Sequence, residues 1–387
     1  MAFFIFDPSS RDQLAPLSLT KAIADFRFGI LSVKERWELL LKEAAFIKTA
    51  DYLQTLYPNT PTEVDVWVNA TVIPNELLAA QIAQLQLGQA LADDLGLIAG
   101  RTNQSFSNFN QREALSLFKE VKTIQAVIRI EYPWEIMQLN EAMIREDFKL
   151  VTKGRSSQPV SPTVQLVQPA DIFVEEGAKL EFCTLNSTTG PIYIGKHAEI
   201  MEGTTVRGPF SLGTRSVLKM NSRVYGATSL GPYCMGGGEI KNSVMMGYSN
   251  KAHDGYLGDS VVGEWCNFGA GTSNSNLKNS AGDIDVWAMG INQMITVGQK
   301  CGVIMGDYSR LAINSSVNTG SVIGICSNVF GAGLLPKQIP HFSWGVEGKR
   351  YQLDTAIADT NNWKYMKGKK LSEEEIQVLK HIYQTTL

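Results

Sequence analysis

The second half of the chain carries aliphatic residues at a strict spacing of six. Seven consecutive positions follow this spacing, namely Ile194, Ile200, Val206, Leu212, Leu218, Val224 and Leu230. After a break at 236–238 (GGG), the spacing returns in two further sets, Val244, Tyr256, Val262 and Phe268, then Leu311, Val317, Ile323, Val329 and Leu335. A six-residue unit suits a short strand followed by a turn, with the aliphatic side chain pointing inward. The pattern predicts a hexapeptide parallel β-helix, in which three units close one coil and stacked coils bury a continuous core.

The first half of the chain lacks this period and predicts an α/β domain. Strands are expected at 3–6 and 64–72, and helices at 32–45, 75–86 and 139–150. Segment 156–162 (SSQPVSP) is the predicted linker because it combines proline with serine.

A final helix is expected at 372–383, where Ser372 opens a Ser-x-x-Glu capping box, and this helix is placed to cover the last coil. The chain therefore divides into an α/β domain at 1–155, a β-helix at 163–340 and a C-terminal tail with a helix at 341–387.

Composition follows the same division. Of 34 glycines, 25 lie between Gly190 and Gly333, whereas only four precede Gly154. The net charge is −3, from 35 basic and 38 acidic residues, and no basic cluster occurs, so a nucleic-acid partner is not expected. No segment approaches the roughly 18 apolar residues of a membrane span, and the N-terminus does not read as a signal peptide. Five cysteines without a Cys-x-x-Cys pair predict reduced thiols and a cytoplasmic protein.

A dense motif lies inside the repeat region. Residues 251–259 read KAHDGYLGD, residues 262–272 read VGEWCNFGAGT, and residues 274–276 read NSN. These blocks resemble, at nearly constant spacing, the Lys-Ala-Gly-His…Tyr-Leu-Gly-Asp and Asn-Ile-Gly-Ala-Gly-Thr…Asn-Tyr blocks of the GlmU family. Members of that family are bifunctional N-acetylglucosamine-1-phosphate uridyltransferases and glucosamine-1-phosphate acetyltransferases. The resemblance implies a left-handed β-helix and a homotrimer, with acetyl-CoA and an amino-sugar phosphate bound between subunits.

The resemblance also implies roles for individual residues. His253 would be the catalytic base, and Asn276 would lie beside the reacting amine. Four more residues would bind the substrate, Arg223 and Lys241 at the sugar phosphate, and Tyr256 and Asn267 at the sugar. The family pattern changes at Leu277, where a tyrosine is usual, and at Asp254, where an apolar residue is usual, so the acceptor sugar stays open.

The chemistry suits these residue types. Acetyl transfer from a thioester needs a neutral amine, and imidazole is a base with a pKa near working pH. Arginine offers a bidentate fork and lysine a point charge to a phosphate. Backbone N–H groups of the turn at 269–272 (GAGT) are candidates to stabilise the oxyanion. Structural alternatives stay open: His253 and Arg223 as solvated surface residues, Tyr256 as core packing, and Asn267 and Asn276 as turn or ladder asparagines.

The start of the first domain is similar to that of sugar nucleotidyltransferases. Arg11, Pro16, Thr20 and Lys21 match part of their Gly-x-Gly-Thr-Arg…Pro-Lys signature, which implies that Arg11, Thr20 and Lys21 bind the nucleotide. The glycine-rich loop is replaced by 7–11 (DPSSR), which removes the close approach of backbone amides to phosphates. The strand at 64–69 ends in Asn69 where a magnesium-binding carboxylate is expected, so the metal ligands are unknown.

Three hypotheses follow from the sequence. The first is an acetyl-CoA-dependent N-acetyltransferase acting on glucosamine 1-phosphate. Uridyl transfer from UTP or another nucleoside triphosphate, with Mg²⁺, is left open as a second step that would give the cell-wall precursor UDP-N-acetylglucosamine. The second hypothesis keeps only nucleotidyl transfer and makes the β-helix a trimerisation platform. The third is a non-catalytic structural trimer that binds a sugar nucleotide.

Overall fold

The computed structural model describes residues 2–58, 65–103, 115–125 and 127–386, so the predicted strand start at residue 64 lies outside the described residues. Within them, the first domain contains a six-stranded mixed sheet in the order β2-β1-β3-β5-β4-β6. The strands are β1 Ala2–Phe6, β2 Ala45–Lys48, β3 Asp65–Asn69, β4 Gln89–Asp93, β5 Gly96–Thr102 and β6 Glu120–Thr123. Strand β1 runs parallel to β2 and β3 and is apolar throughout, as expected of a strand that is covered on both faces.

The described part of this domain also contains four α-helices. They are α1 Val33–Leu41, α2 Asp51–Gln54, α3 Glu76–Ala83 and α4 Glu135–Thr152. Helix α1 begins with a capping box, in which the amide of Glu35 donates to the Ser32 hydroxyl and the amide of Ser32 donates to the Glu35 carboxylate. Helices α1 and α4 are joined by a fully buried ion pair between Arg36 and Asp147 at 2.6 Å. The predicted front α/β domain is confirmed.

The predicted β-helix is confirmed as a three-faced parallel solenoid. Face 1 contains the strands Gln165–Val167, Thr184–Asn186, Thr205–Arg207, Arg223–Tyr225, Glu239–Lys241 and Tyr256–Gly258, and it continues with Ser273–Asn274 and Ser316–Val317. Face 2 contains Ile172–Val174, Ile192–Ile194, Phe210–Leu212, Thr228–Leu230, Val244–Gly247, Val261–Glu264, Ile304–Met305, Val322–Ile323 and Gln338–Ile339. Face 3 contains Lys179–Leu180, Glu199–Ile200, Val217–Leu218, Met235–Gly236, Asn250–Lys251, Asn267–Phe268, Arg310–Leu311, Asn328–Val329, Ser343–Trp344 and the antiparallel Lys349–Arg350.

The residues predicted to point into the solenoid core do so except in the central coils. The seven aliphatics from Ile194 to Leu230 are all buried inside the solenoid, as are the five from Leu311 to Leu335. Between them, the coils are shorter than eighteen residues, and the strict period of six fails. Met245 and Leu257 are the inward residues there, whereas Val244 points toward the front domain and Tyr256 points outward from face 1. The assignment of Val244 and Tyr256 to the solenoid core is therefore wrong.

The tail contributes two helices where one was predicted. Helix α6 spans Glu373–Thr385 and begins with the predicted capping box at Ser372, while α5, Leu353–Tyr365, was missed. Both pack along the corner between faces 2 and 3, against buried aromatic residues that include Trp265 and Tyr308. Helix α6 also contacts α2 of the front domain. The tail thus joins the two domains along the side of the β-helix.

The front domain lies against face 2 of the solenoid. Its core continues into outward residues of that face, including Met246, Val261 and Ile304. A hairpin inserted between two coils, Asp285–Ala288 paired with Gln293–Thr296, extends the same contact. In the described part of the chain, no helix has the length and apolar character needed to cross a membrane.

Candidate functional site

The carboxyl end of β1 leads into a buried carboxylate, Asp7. It accepts hydrogen bonds from the Thr49 hydroxyl at 2.6 Å, the Ile23 amide at 3.0 Å and the Arg11 guanidinium at 3.2 Å. Burial raises the pKa of Asp7, although Arg11 and the hydrogen bonds oppose the rise. Asp7 therefore holds together the loop that replaces the glycine-rich motif.

The three residues predicted to bind a nucleotide have protein partners instead. Arg11 donates to Asp7 and to the Ser18 carbonyl and is itself buried. The Thr20 hydroxyl donates to Asp307 of the solenoid at 2.6 Å.

Lys21 extends this contact between the two domains. Its Nζ lies 2.9 Å from Asp307 and 3.2 Å from Glu264, both on the solenoid. Burial lowers the pKa of Lys21, but the two carboxylates outweigh burial and raise it overall. The polar groups of Arg11, Thr20 and Lys21 are thus engaged within the protein, and their contact with a nucleotide stays a prediction.

A cavity of about 520 Å³ lies where β1 and β3 end. It is lined by Phe6, Pro8, Ser9, Ser10, Gln13, Asn69, Thr71, Leu95, Gly96, Leu97, Leu115, Ser116, Arg129, Ile130 and Glu131. Arg11, Thr20 and Lys21 do not line it. The lining arginine, Arg129, forms two hydrogen bonds with Asp93, at 2.6 and 2.8 Å, so its charge is already neutralised.

The same cavity offers a magnesium ion few oxygen ligands, since among its described lining residues the one carboxylate is that of Glu131. Asn69 donates to the Leu97 carbonyl at 3.0 Å and accepts from the amide and hydroxyl of Thr71, which occupies its amide group. No group of three or more His, Cys, Asp and Glu residues suited to a metal occurs among the described residues. The Mg²⁺ implied by the resemblance therefore has no carboxylate cluster in the described part of the front domain.

Face 1 of the solenoid gathers four of the predicted acetyl-transfer residues. Arg223, Lys241 and Tyr256 lie on successive strands, and Asn276 follows the next strand of the face. Register places Arg223, Glu239 and Tyr256 in one outward column. Arg223 Nε lies 3.9 Å from the Glu239 carboxylate, which in turn accepts from the Tyr225 hydroxyl at 2.7 Å. The guanidinium of Arg223 is more than half exposed and is available to an anion.

A second arginine on this face was missed by the sequence analysis. Arg207 lines a groove of about 410 Å³ together with Arg223, Thr205 and Tyr225. It directly follows the inward Val206, just as Arg223 directly precedes the inward Val224, so both side chains point outward. The sequence repeat could have identified Arg207. Arg207 follows Val206, Arg223 precedes Val224, and these two valines are eighteen positions apart, which is one full coil.

Tyr256 and Asn276 belong to a small polar network. The Asn276 amide donates to the Tyr256 oxygen at 3.1 Å and to the Asp259 carboxylate, whose other oxygen accepts from Asn242 at 2.7 Å. Burial raises the pKa of Tyr256, and the charge of Asp259 raises it further, so the phenol stays protonated and can donate. Asp259 and Asn242, also missed from sequence, fix the orientation of the two predicted residues.

His253 occupies the corner between faces 3 and 1. It lies in the turn from Asn250–Lys251 to Tyr256–Gly258, and its imidazole is exposed. The glycines of the coil below permit this turn, because a side chain at Gly237 would collide with the Ala252 carbonyl. From the coil above, the Gly271 amide donates to the Asp254 carbonyl at 3.1 Å. The turn is therefore packed between two neighbouring coils.

Asn267 lies on face 3, between Asn250 and Arg310, so it can join the face 1 residues only across two chains, and its contact with the sugar stays a prediction. The turn predicted to stabilise the oxyanion needs correction. The amides of Gly269, Gly271 and Thr272 are already bonded to the Leu311, Asp254 and Gly269 carbonyls. These three amides are therefore unsuited to an oxyanion hole.

Comparison with known proteins supports the resemblance in both halves. Residues 3–156 match the family described as sugar nucleotidyl transferase. The bifunctional protein GlmU of Synechococcus elongatus is 24% identical over 262 residues, covering 61% of this chain and 54% of the relative. A bifunctional sugar-1-phosphate nucleotidylyltransferase/acetyltransferase of Sulfurisphaera tokodaii is 33% identical over 157 residues, 39% of this chain and 38% of the relative. GlmU of Methanocaldococcus jannaschii is 28% identical over 202 residues, 50% of this chain and 40% of the relative.

The chain spans about half or less of the length of these curated relatives. A solved structure of an Arabidopsis UDP-N-acetylglucosamine acyltransferase aligns with 59% of this chain and 90% of its own chain. The sequence identity is 12% and the TM-score is 0.25, and no inference about fold or function is drawn from this alignment. The predicted similarity to GlmU-like proteins is confirmed.

Proposed function

We propose that the β-helix is an acetyl-CoA-dependent N-acetyltransferase that acts on an amino-sugar phosphate, glucosamine 1-phosphate. The observation that carries this proposal is the arrangement around one corner of the solenoid. The exposed imidazole of His253 lies on that corner, and the cations Arg223 and Lys241 lie on the adjoining face with Tyr256 and Asn276. A base beside a cationic groove is what an amine carrying a phosphate requires.

The reaction assigns a task to each group. The amine nitrogen attacks the carbonyl carbon of the thioester, the carbon–sulfur bond breaks, and the thiolate of coenzyme A leaves. His253 takes the proton released by the amine and returns it to the thiolate. The groove beside Arg223 is suited to a phosphate, because its guanidinium is more than half exposed and Arg207 lies in the same groove. The Tyr256 hydroxyl and the Asn276 carbonyl oxygen are placed to orient the sugar and the amine.

A homotrimer belongs to this proposal because one chain does not complete the site. Asn267 points outward from face 3 and Tyr256 from face 1, and outward side chains on two faces of a convex corner diverge. A ligand that contacts both residues must therefore lie between faces of two chains. Mass photometry or light scattering of the purified protein would report the oligomeric state.

Nucleotidyl transfer by the front domain is the second candidate function. The match of residues 3–156 to sugar nucleotidyl transferases favours it. The geometry opposes it, because Asn69 replaces a carboxylate and Lys21 is bound to Asp307. The third candidate, a non-catalytic sugar-nucleotide-binding trimer, requires nucleotide binding without turnover.

One incubation separates the three candidates. The protein is mixed with glucosamine 1-phosphate, acetyl-CoA, UTP and Mg²⁺, and the products are identified by mass spectrometry. We expect N-acetylglucosamine 1-phosphate and free coenzyme A without UDP-N-acetylglucosamine. Formation of a nucleotide sugar without consumption of acetyl-CoA would favour the second candidate, and the absence of any product would favour the third.

A substitution at His253 tests the mechanism. His253→Ala should lower kcat for coenzyme A release by about 100-fold or more, since a positioned general base contributes that much. The matched control is His197→Asn, which alters another exposed histidine on a corner turn and suits its φ of 56°. Undiminished activity of His253→Ala would refute the role of His253 as the base.

A further inference from the structure

A lysine occupies an inward position of the solenoid core. Register places Lys251 in the face 3 column that runs from Leu218 through Gly236 and Lys251 to Phe268 and Leu311. The side chains around this position are aliphatic or aromatic, and Lys251 is only 2% exposed. Burying an ammonium group among apolar side chains is unfavourable unless something compensates. Among the described residues, no carboxylate forms an ion pair with Lys251.

The compensation comes from two backbone carbonyls. Lys251 Nζ donates to the carbonyl of His253 at 2.6 Å and to that of Gly237, in the coil below, at 3.3 Å. The first acceptor belongs to the residue that carries the exposed imidazole. The second lies on the coil beneath, so one ammonium group links the corner turn to its neighbour.

Two other carbonyls of this turn accept hydrogen bonds from neighbouring coils. The Asp254 carbonyl accepts from Gly271, and the Gly255 carbonyl accepts from Glu239. Within the described residues, the His253 carbonyl has one donor, and that donor is Lys251. In the described part of the chain, the imidazole of His253 forms no hydrogen bond, ion pair or ring contact, so the orientation of the base depends on its backbone.

Filling space does not account for the lysine. The residue before Lys251 in the column is Gly236, which could leave a gap for a long side chain to fill. Leu218, Leu230 and Ile240 already occupy the space around this glycine. A methionine has nearly the same length as a lysine and is apolar, so it would occupy the column at least as well. What a methionine lacks is the donor for the two carbonyls.

We propose that Lys251 is a positioning residue of the acetyl-transfer site, which fixes the corner turn so that His253 faces the substrate groove. This inference rests on the proposed function for its kinetic part, and its structural part stands independently. It predicts that the loss of the Nζ donor loosens residues 252–255 without destabilising the solenoid.

The test compares Lys251→Met with a control in the same column, Leu218→Met, two coils below. Hydrogen exchange measured by mass spectrometry should show exchange at 252–255 faster by about 10-fold in Lys251→Met, with an unchanged or higher melting temperature. Acetyl-transfer kcat should fall by about 10- to 100-fold, and KM for the sugar phosphate should stay within about 2-fold. Lys251→Gln, which keeps an N–H donor, should recover part of both effects, and Leu218→Met should show neither.

Each outcome decides a separate point. Unchanged exchange at 252–255 in Lys251→Met overturns the inference, and so does a failure of that variant to fold, which would make Lys251 a determinant of the core. If the wild-type protein releases no coenzyme A, the proposed function fails, but the exchange experiment still decides whether Lys251 fixes the turn. Faster exchange with an unchanged kcat would reject the positioning role of Lys251. The His253→Ala variant would then still decide whether His253 is the base.

Discussion

Replacing Lys21 by methionine is the sharpest test of what the front domain does. In the structure, Lys21 Nζ lies 2.9 Å from Asp307, whose side chain is nearly fully buried between the domains. Without Lys21, Asp307 keeps the Thr20 hydroxyl and the Glu264 amide as donors, but its charge is uncompensated. Breaking a buried ion pair by removing one partner typically costs about 3–5 kcal/mol. The second carboxylate beside Lys21, that of Glu264, contributes little to the free energy of unfolding, because its side chain is about one-third exposed.

The assay is urea unfolding followed by tryptophan fluorescence. For an m-value of about 3 kcal/mol/M, Lys21→Met should lower the midpoint by about 1 M or more. Lys34→Met is the matched control, because its lysine pairs with Glu38 at 3.6 Å on the surface and should contribute less than about 1 kcal/mol.

A double-mutant cycle isolates the ion pair. In the double variant Lys21→Met/Asp307→Asn, the loss of unfolding free energy should be smaller than the sum of the losses in the two single variants by about 2 kcal/mol, because no charge is left unpaired. If Lys21→Met unfolds like Lys34→Met and instead loses UTP binding, Lys21 binds nucleotide and the interdomain role is wrong.

Three further predictions concern the two domains. Arg223→Ala and Lys241→Ala should each raise KM for glucosamine 1-phosphate by about 10-fold, and Arg207→Ala should raise it in the same direction, as measured by coenzyme A release at varied sugar phosphate. Burial lowers the pKa of Lys251 to about 8 from 10.5, so the unfolded chain binds more protons between these pH values. The stability of the wild type relative to Lys251→Met should therefore rise as the pH rises from about 8 to 10.5. The charge of Asp254 opposes the lowering of this pKa. Magnesium should not elicit pyrophosphate release from UTP and a sugar 1-phosphate, which a coupled phosphate assay would detect.

The sequence predicted most of the solenoid because its period is imposed by packing. An inward aliphatic is required wherever three strands enclose a core, and the spacing of six records that requirement from Ile194 to Leu230. The prediction failed where coils change length. Gly236 and Lys251 are neighbours in register although only fifteen residues separate them, so counting in sixes assigned Val244 and Tyr256 to the interior.

The candidate site was predicted in part for a similar reason. Residues next to inward aliphatics must point outward, so the predicted inward position of Val224 is enough to place Arg223 on the surface. Lys241 follows Ile240, which lies after the break at 236–238 and outside the predicted register, so the structure alone places it on face 1. The inward position of Lys251 was missed because counting in sixes from Val244 assigns Asn250 to the interior, whereas the register pairs Lys251 with Gly236. The partners of Thr20 and Lys21 were missed because Asp307 is nearly three hundred residues away, and such contacts depend on how domains dock.

The front domain shows how a family match and a chemical site can diverge. The match of residues 3–156 reflects a sheet, its helices and their core, and these are present here. Catalysis of nucleotidyl transfer depends instead on a few groups at the carboxyl ends of the strands. At that edge Asp7 binds Arg11 and Thr49, and Asn69 binds Leu97 and Thr71. The lysine predicted to meet a phosphate meets Asp307, a carboxylate of the solenoid. The same lysine that would bind a substrate anion thus holds the two domains together, which is why stability, rather than nucleotide affinity, is the property we expect Lys21→Met to change.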